Sequence, residues 1–297
     1  MQIAPLLKTL RPPFLVLTPA CVLLGYATAH SMHEHIEPAL LLAVFAAALF
    51  AHISVNTLNE YHDFTSGLDL QTQRTPFSGG SGALPDHPEM AAAVLYTGLL
   101  SLGVVVLAGA WFLYLRGLVL LPAGVTGLLV VVTYTRWLNL SPWLCLLAPG
   151  VGFGLLMVTG SHFVLTGAVS AVSVTTALVP FLLVNNLLLL NQYPDIEADA
   201  NAGRNHFPIA YGTAAANVVY GLSAGAAVAT LLLGVRYELL PGLALAALAP
   251  LALAFLALAG AVRHHGNIGR YPLYLAANAG AAVLTPFVLG VALLVAG

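Results

Sequence analysis

The chain has 297 residues, of which 60% are hydrophobic and only 7% are charged. A soluble domain carries about 25% charged residues, so this composition excludes a soluble fold and predicts an integral membrane protein surrounded by lipid. The formal net charge of −2 does not favour nucleic acid as a partner.

Nine stretches are long and apolar enough to cross a bilayer, which needs about 20 apolar residues. We therefore expect one domain over residues 1–297, all-α, with nine transmembrane helices around a central cavity. Glycines within 148–160 favour close helix packing, with a substrate passage as the alternative. The predicted helices cover residues 12–30, 38–60, 90–113, 118–136, 141–161, 167–193, 212–234, 241–262 and 272–295.

Positive charge is unevenly distributed between the two ends of these helices. With nine spans, seven Lys and Arg residues lie on the side of the N-terminus, and only Arg116 and Arg236 lie on the other. Since Lys and Arg accumulate in cytoplasmic loops, this asymmetry predicts a cytoplasmic N-terminus. The two longest connecting segments, 61–89 and 194–211, then also face the cytoplasm.

The first of these segments carries an acidic motif, NEYHDFTSGLD, from Asn59 to Asp69. In the helix leading into it, polar residues recur at spacings of four, three and four, which places them on one helix face. A polar stripe on a membrane helix faces the bundle interior or a cavity rather than lipid. The stripe consists of His52, Asn56, Asn59 and Asp63.

Beyond this motif the chain reads RTPFSGGSGALP, from Arg74 to Pro85. Glycines at 79, 80 and 82 permit tight turns whose amides can approach phosphate oxygens. The guanidinium of Arg74 has the donors to bind a diphosphate. The alternative is a flexible linker with one solvated Arg.

The second long segment carries a matching motif, NQYPDIEAD, from Asn191 to Asp199. Its helix has a second polar stripe with spacings of seven, three and four, bordered by Asn191. Arg204 follows at a short distance, as Arg74 follows the first motif. The second stripe consists of Asn185, Gln192, Asp195 and Asp199.

These two motifs concentrate the acidic residues of the chain, since eight of the 11 Asp and Glu lie in or beside them. If the stripes face one another, four carboxylates converge and repel one another unless cations lie between them. Mg²⁺ takes one or two carboxylates and completes its shell with waters and phosphate oxygens. We therefore predict Mg²⁺ ions around a diphosphate, held by Asp63, Asp69, Asp195 and Asp199. The alternative is an interfacial loop that is simply polar.

The paired motifs resemble those of the UbiA superfamily of intramembrane aromatic prenyltransferases, and the resemblance covers nearly the whole chain. The first family motif is Asn, three residues, Asp and a further Asp, and the second is Asp, three residues, Asp. In this sequence they are matched by Asn59, Asp63 and Asp69, and by Asp195 and Asp199. Ala202-Gly203-Arg204 stands where the family often has Ala-Gly-Lys. The spacing is most similar to the menaquinone-type branch, which prenylates 1,4-dihydroxy-2-naphthoate.

This resemblance implies Mg²⁺-dependent transfer of a polyprenyl group from an allylic diphosphate to an aromatic acceptor, in a bacterial or archaeal cytoplasmic membrane. It implies metal ligation by the matched Asn and Asp residues, catalysis by Asp63, Asp195 and Arg74, and diphosphate binding by Asn59, Arg74, Asn191 and Arg204. Many members have Tyr and a downstream Lys or Arg after the fourth span. Here Tyr134 is followed by Arg136, so acceptor contacts are assigned to His52, Asn56, Tyr134 and Arg136. A buried His bonded to another helix is the alternative for His52.

Other acceptors and other classes of membrane protein also fit part of the pattern. Hydroxybenzoate, homogentisate or a chlorin could replace the naphthoate. A cation-coupled transporter would place its acidic residues near the bilayer midplane, whereas here they lie at helix ends beside Arg and Gly. A phosphatidyl-alcohol transferase would have one compact acidic run rather than two separate motifs.

Overall fold

A computed structural model describes residues 3–32, 35–72 and 74–297, and these residues form helices and no strand. Within these described ranges, eight helices are long and apolar enough to cross a membrane. A shorter apolar helix, Leu118–Thr133, lies between the third and the fourth of them. We number the set α1 to α9 in chain order: Pro12–His30, Pro38–Thr65, Pro88–Arg116, Leu118–Thr133, Pro142–Thr166, Ala171–Asn201, Phe207–Arg236, Gly242–Arg270 and Pro272–Ala296.

The predicted all-α fold is confirmed, and each predicted span corresponds to one of these helices. Helix α4 is the exception in length, because its residues rise about 1.5 Å each and fall short of the roughly 30 Å hydrocarbon core. None of its residues is buried. Nine crossings, and the side on which the N-terminus lies, therefore stay predictions.

The helices α1, α5, α6 and α9 form the centre of the bundle, with α2 and α3 on one flank and α7 and α8 on the other. Small residues let the central helices approach closely. A Cβ added to Gly154 would overlap the backbone of Phe181 in α6, and one added to Gly25 would lie 2.7 Å from the Val158 carbonyl oxygen. The close packing predicted for residues 148–160 is thus observed.

Exposed aromatic side chains mark both ends of the bundle, as expected at the two membrane–water interfaces. One end has Trp111, Tyr114 and Tyr237, which are all more than 40% exposed. The other end, where both acidic motifs lie, has Trp137, Trp143, Tyr211 and Tyr271. The acidic motifs are therefore at the level of an interface rather than in the middle of the bundle.

The structure corrects where the two long helices carrying the motifs end. Helix α2 continues to Thr65 rather than to residue 60, so Asp63 lies on the helix. Helix α6 continues beyond residue 193 through a 3-10 turn, Tyr193–Asp195, into Ile196–Asn201. Apolar composition alone predicts both helix ends too early in the chain, because polar residues that face a cavity continue a helix as well as apolar residues do.

Candidate active site

A cavity of about 210 Å³ lies at the end of the bundle where the two acidic motifs meet. Its walls come from α1, α2, α5 and α6, from residues within 68–72 and 77–80 after α2, and from residues that connect α4 to α5 and α6 to α7. Both acidic motifs therefore face one shared space. The motif residues in its wall are Asn59, Asp63, Asp69, Asn191, Asp195 and Asp199.

All four residues of the first stripe line this cavity, which confirms the face assigned to α2. The amide nitrogen of Asn59 donates to Thr135 Oγ1 at 3.1 Å, and that of Asn56 donates to the Leu10 carbonyl at 2.9 Å. His52 lies deepest, with Nδ1 2.8 Å from Thr18 Oγ1. These hydrogen bonds join α2 to the segment before α1, to α1 itself and to the connection between α4 and α5.

The second stripe faces the cavity over its motif but not over its whole length. Asn191, Gln192, Asp195 and Asp199 line the wall. Asn185 instead accepts a hydrogen bond from the backbone N–H of Gly150 at 2.6 Å. Its role is to join α6 to α5, because Gly150 brings the two backbones too close for any larger side chain.

Arg204 connects the two motifs directly. Its guanidinium donates to Asp63 Oδ1 and, at 2.9 Å, to Asp199 Oδ1. Burial opposes its positive charge, but these carboxylates raise the pKa of Arg204 overall, so it stays a cation. Asp63 and Asp199 lie 136 positions apart in the chain, and a single side chain holds them together.

The segment after α2 closes over the remaining carboxylates. Ser78 and the backbone amide of Gly79 contact Asp195. Gly80 packs against Asp69, whose Oδ1 would lie 2.8 Å from an added Cβ. The glycine-rich loop therefore does approach the acidic motifs, as predicted, and its backbone lines the cavity at residues 79 and 80.

The oxygen atoms in this cavity fit a divalent cation. Asp69 Oδ2, Asn191 Oδ1 and Asp195 Oδ1 are buried and have no hydrogen-bond partner among the described residues. This arrangement costs free energy unless something else binds these atoms. Burial, with the neighbouring carboxylates of Asp63 and Glu60, raises the pKa of Asp69 to about 7. A cation would relieve this repulsion, and hard oxygen donors are the ligands that Mg²⁺ takes.

The same geometry limits how many of these side chains one ion can contact. In the described ranges no three His, Cys, Asp or Glu side chains are grouped closely enough to hold a metal ion together. Mg²⁺ usually keeps several waters and binds through one or two carboxylates plus phosphate oxygens. The residues fit ions that are completed by a substrate diphosphate rather than a closed protein site.

Two predicted cations lie outside the cavity. Arg74 is 3.9 Å from the exposed carboxylate of Asp86 and packs against Gly82. Arg136 is exposed, whereas Tyr134, two residues before it, does line the wall. Loop residues have no periodic pattern from which side-chain direction follows, so the assignments of Arg74 to the diphosphate and of Arg136 to the acceptor stay predictions.

Three residues at the site were missed by the sequence analysis. Arg11 lines the cavity and donates through Nε to Glu60 Oε1 at 2.7 Å. Glu60 is fully buried and also accepts from the backbone N–H and the hydroxyl of Ser81, at 2.8 and 2.6 Å. His206 binds Asp199. In the sequence, the only indication of a role for any of these three residues was that Glu60 is adjacent to Asn59 of the first motif.

Comparison with known proteins identifies the family. The model of the UbiA prenyltransferase family matches residues 16–278. This chain belongs to the UbiA prenyltransferase family. It is accordingly an integral membrane protein of that family, as the resemblance of the motifs indicated.

Individual relatives agree with this assignment. A 1,4-dihydroxy-2-naphthoate octaprenyltransferase of Bacillus subtilis is 30% identical over 211 residues, which cover 68% of this chain and 64% of that protein. The solved structure of a UbiA homologue from Archaeoglobus fulgidus bound to DMAPP and Mg²⁺ superposes with a TM-score of 0.67 at 15% identity, covering 98% and 99% of the two chains. A UbiA homologue from Aeropyrum pernix gives 0.67 at 17% identity, over 95% and 97%. These structures establish the shared fold.

The different positions of Arg204 and Arg74 lead to different expected effects in this UbiA-family protein. Arg204→Ala is expected to lower kcat/KM for the prenyl donor by about 100-fold or more, because it removes a buried cation at the site. Arg74→Ala, matched in chemistry but outside the cavity, is expected to change kcat/KM by no more than about threefold. Steady-state kinetics of the two variants measure this, and an equal loss in both would restore Arg74 to the site.

Proposed function

We propose that this UbiA-family enzyme transfers a polyprenyl group from an allylic polyprenyl diphosphate to 1,4-dihydroxy-2-naphthoate in a Mg²⁺-dependent reaction of menaquinone biosynthesis. The observation that carries the proposal is the shared cavity, in which oxygen atoms of both acidic motifs lie buried without partners. The Bacillus relative supports the acceptor, and the homologue bound to DMAPP, a prenyl diphosphate, and Mg²⁺ supports the donor and the ion.

The polar end of the cavity is where the diphosphate fits best. Asn59, Asp63, Asp69, Asp195 and Asp199 would hold the metal ions, which supply charge neutralisation to the leaving diphosphate when bound. Arg204 adds a permanent positive charge beside them, and Asn191 offers an amide that can bind either ion or phosphate. Ordinary Coulomb repulsion among the carboxylates makes binding of the donor depend on the cations.

The isoprenoid chain needs an apolar space, and the structure has one next to the polar cavity. A second cavity of about 410 Å³ lies between α2, α3, α4 and α5. Among the described residues that line it, only His52 and Ser161 have polar side chains. Both cavities share the wall residues His52, Val55, Pro149 and Phe153. A donor with its diphosphate at the carboxylates thus has a direct path for its tail.

With the diphosphate at the carboxylates and the tail in the apolar cavity, the reacting carbon would lie near His52 and Phe153, whose rings meet edge to face at a centroid distance of 4.6 Å. Breaking the allylic C–O bond releases diphosphate and leaves a carbocation, which aromatic faces stabilise and the apolar walls protect from water. An electron-rich ring carbon of the acceptor forms the new C–C bond. The ring then regains aromaticity by losing the proton at that carbon, or CO₂ where that carbon carries the carboxylate.

The acceptor is assigned to the wall around His52, Asn56 and Tyr134. The Nδ1 atom of His52 is 2.8 Å from Thr18 Oγ1, which fixes the ring and leaves Nε2 for an acceptor hydroxyl. Arg136 does not line this cavity, so it would contact only a part of the acceptor that extends out of the cavity. Acceptors such as 4-hydroxybenzoate, homogentisate or a chlorin would require other contacts at this wall.

A panel of acceptors tests this proposal. Purified enzyme is incubated with Mg²⁺, a radiolabelled polyprenyl diphosphate and each of dihydroxynaphthoate, hydroxybenzoate and homogentisate, and the lipid-soluble product is identified by mass spectrometry. We expect prenylated product from dihydroxynaphthoate alone. Product from another acceptor only would overturn the acceptor, and no labelled product from any aromatic acceptor would overturn the transfer reaction.

A further inference from the structure

We propose that His206 is a positioning residue that holds the carboxylate of Asp199 in place for a divalent cation. The inference rests on the proposed function, since it concerns the metal site of that reaction. His206 lies at the start of α7, directly after the connection from α6, and its ring lines the cavity.

The contact is short and enclosed. Nε2 of His206 is 3.0 Å from Asp199 Oδ2, and the two side chains are only 2% and 6% exposed. An ionised carboxylate can only accept hydrogen bonds, so Nε2 carries the proton and donates. The backbone before it is also fixed, because the Asn205 N–H donates to the Asn139 carbonyl at 2.9 Å.

The two oxygens of Asp199 have different donors. Oδ1 accepts from Arg204 at 2.9 Å and Oδ2 accepts from His206. Arg204 is shared, because it also binds Asp63, and a substrate diphosphate competes for the same guanidinium. His206 binds no other acidic group in the part of the chain that the structure describes, so it is the donor that keeps Asp199 oriented when Arg204 turns to the substrate.

A purely structural role does not account for this histidine. Its Nδ1 is buried without a hydrogen-bond partner among the described residues, so an apolar side chain of similar size would fill the position at less cost. The single hydrogen bond that the ring makes is directed to a residue of the second motif. Donors of this kind orient metal ligands, and their loss typically weakens metal affinity about 10- to 100-fold.

Three substitutions separate the donor from the shape of the ring. His206→Leu removes the donor, His206→Asn places an amide where it cannot reach Asp199, and His206→Gln restores a donor near the position of Nε2. His35→Leu is the control, because His35 is exposed at the opposite end of α2. Binding of Mn²⁺ to each purified protein in the presence of a non-reactive prenyl thiodiphosphate is measured by electron paramagnetic resonance, and prenyl transfer is measured against Mg²⁺ concentration.

We expect the Leu and Asn variants to raise the Mn²⁺ dissociation constant about 10-fold and to raise the half-saturating Mg²⁺ concentration by a similar factor. Their kcat at saturating Mg²⁺ should fall much less, and the Gln variant and the control should stay within about threefold of wild type. Unfolding temperatures identify any variant that fails to fold, and the Asn variant then replaces the Leu variant in the comparison.

Unchanged Mn²⁺ affinity in the Leu and Asn variants would overturn the inference, and so would equal weakening in the Gln variant. Absence of Mn²⁺ binding by the wild-type protein would overturn both the inference and the metal site. Tight Mn²⁺ binding with no prenyl transfer by the wild type would overturn the proposed reaction while leaving the role of His206 intact.

Discussion

Replacing Asp63 or Asp195 by Asn is expected to lower kcat/KM for the prenyl donor by about 100- to 1000-fold, or roughly 3–4 kcal/mol of transition-state stabilisation. Asn keeps the size of the side chain and one oxygen, so the change is confined to the negative charge that a cation needs. Asp63 comes from α2 and Asp195 from α6, and both line the same cavity. The effect should appear mainly in kcat, because charge on the leaving diphosphate increases in the transition state.

The double variant gives a sharper test of one shared site. Residues that act as a unit are strongly non-additive, so Asp63→Asn with Asp195→Asn should lose little more activity than either change alone. Asp86→Asn is the matched control, because Asp86 lies at the same end of the bundle and its side chain is 65% exposed. If either single variant keeps wild-type turnover, the two motifs do not form one catalytic site.

The second large effect concerns stability rather than chemistry. Glu60→Gln is expected to destabilise the protein by about 2–3 kcal/mol, because it leaves the cation of Arg11 enclosed without its partner. Glu60 is fully buried, whereas the Arg11 side chain is 25% exposed. Because water can solvate part of the Arg11 cation, the expected loss of stability is smaller than for a completely buried ion pair. The apparent unfolding temperature of the detergent-solubilised protein should fall by several degrees.

The matched control and the rescue define this prediction. Glu89→Gln changes a side chain that is 65% exposed and should leave the unfolding temperature within about a degree. Combining Glu60→Leu with Arg11→Leu removes both charges and should recover much of the stability lost in Glu60→Leu. A double variant whose loss of stability equals the sum of the losses in Glu60→Leu and Arg11→Leu would mean that the two residues contribute independently.

Local periodicity was enough to predict which face of α2 lines the cavity, and on α6 it held over the motif but not at Asn185. Residues three and four apart share a helix face wherever they lie, and carboxylates near hydrocarbon must find a polar environment. The polar face of α2 was therefore expected to line a polar cavity, with the side chains of His52, Asn56, Asn59 and Asp63. The free-energy cost of carboxylates near hydrocarbon also favoured convergence of the two motifs in one polar cavity.

The side chains that organise the carboxylates could not be predicted in this way. Arg11 and Glu60 are 49 positions apart, and His206 reaches Asp199 only because the chain turns between α6 and α7. Such pairs depend on tertiary packing, which no spacing rule encodes. Arg74 shows that proximity in sequence does not fix side-chain position, since it follows the motif closely yet its guanidinium lies beside Asp86 outside the cavity.

The central claim is that both motifs hold metal ions around one diphosphate, and anomalous diffraction from Mn²⁺ tests it most directly. Crystals of the enzyme grown with Mn²⁺ and a non-reactive prenyl thiodiphosphate would locate each ion. We predict ions within about 2.2 Å of oxygen atoms from both motifs, with Asp63 and Asp195 among the ligands and the diphosphate between them. Ions bound to one motif only, or a diphosphate outside this cavity, would contradict the account.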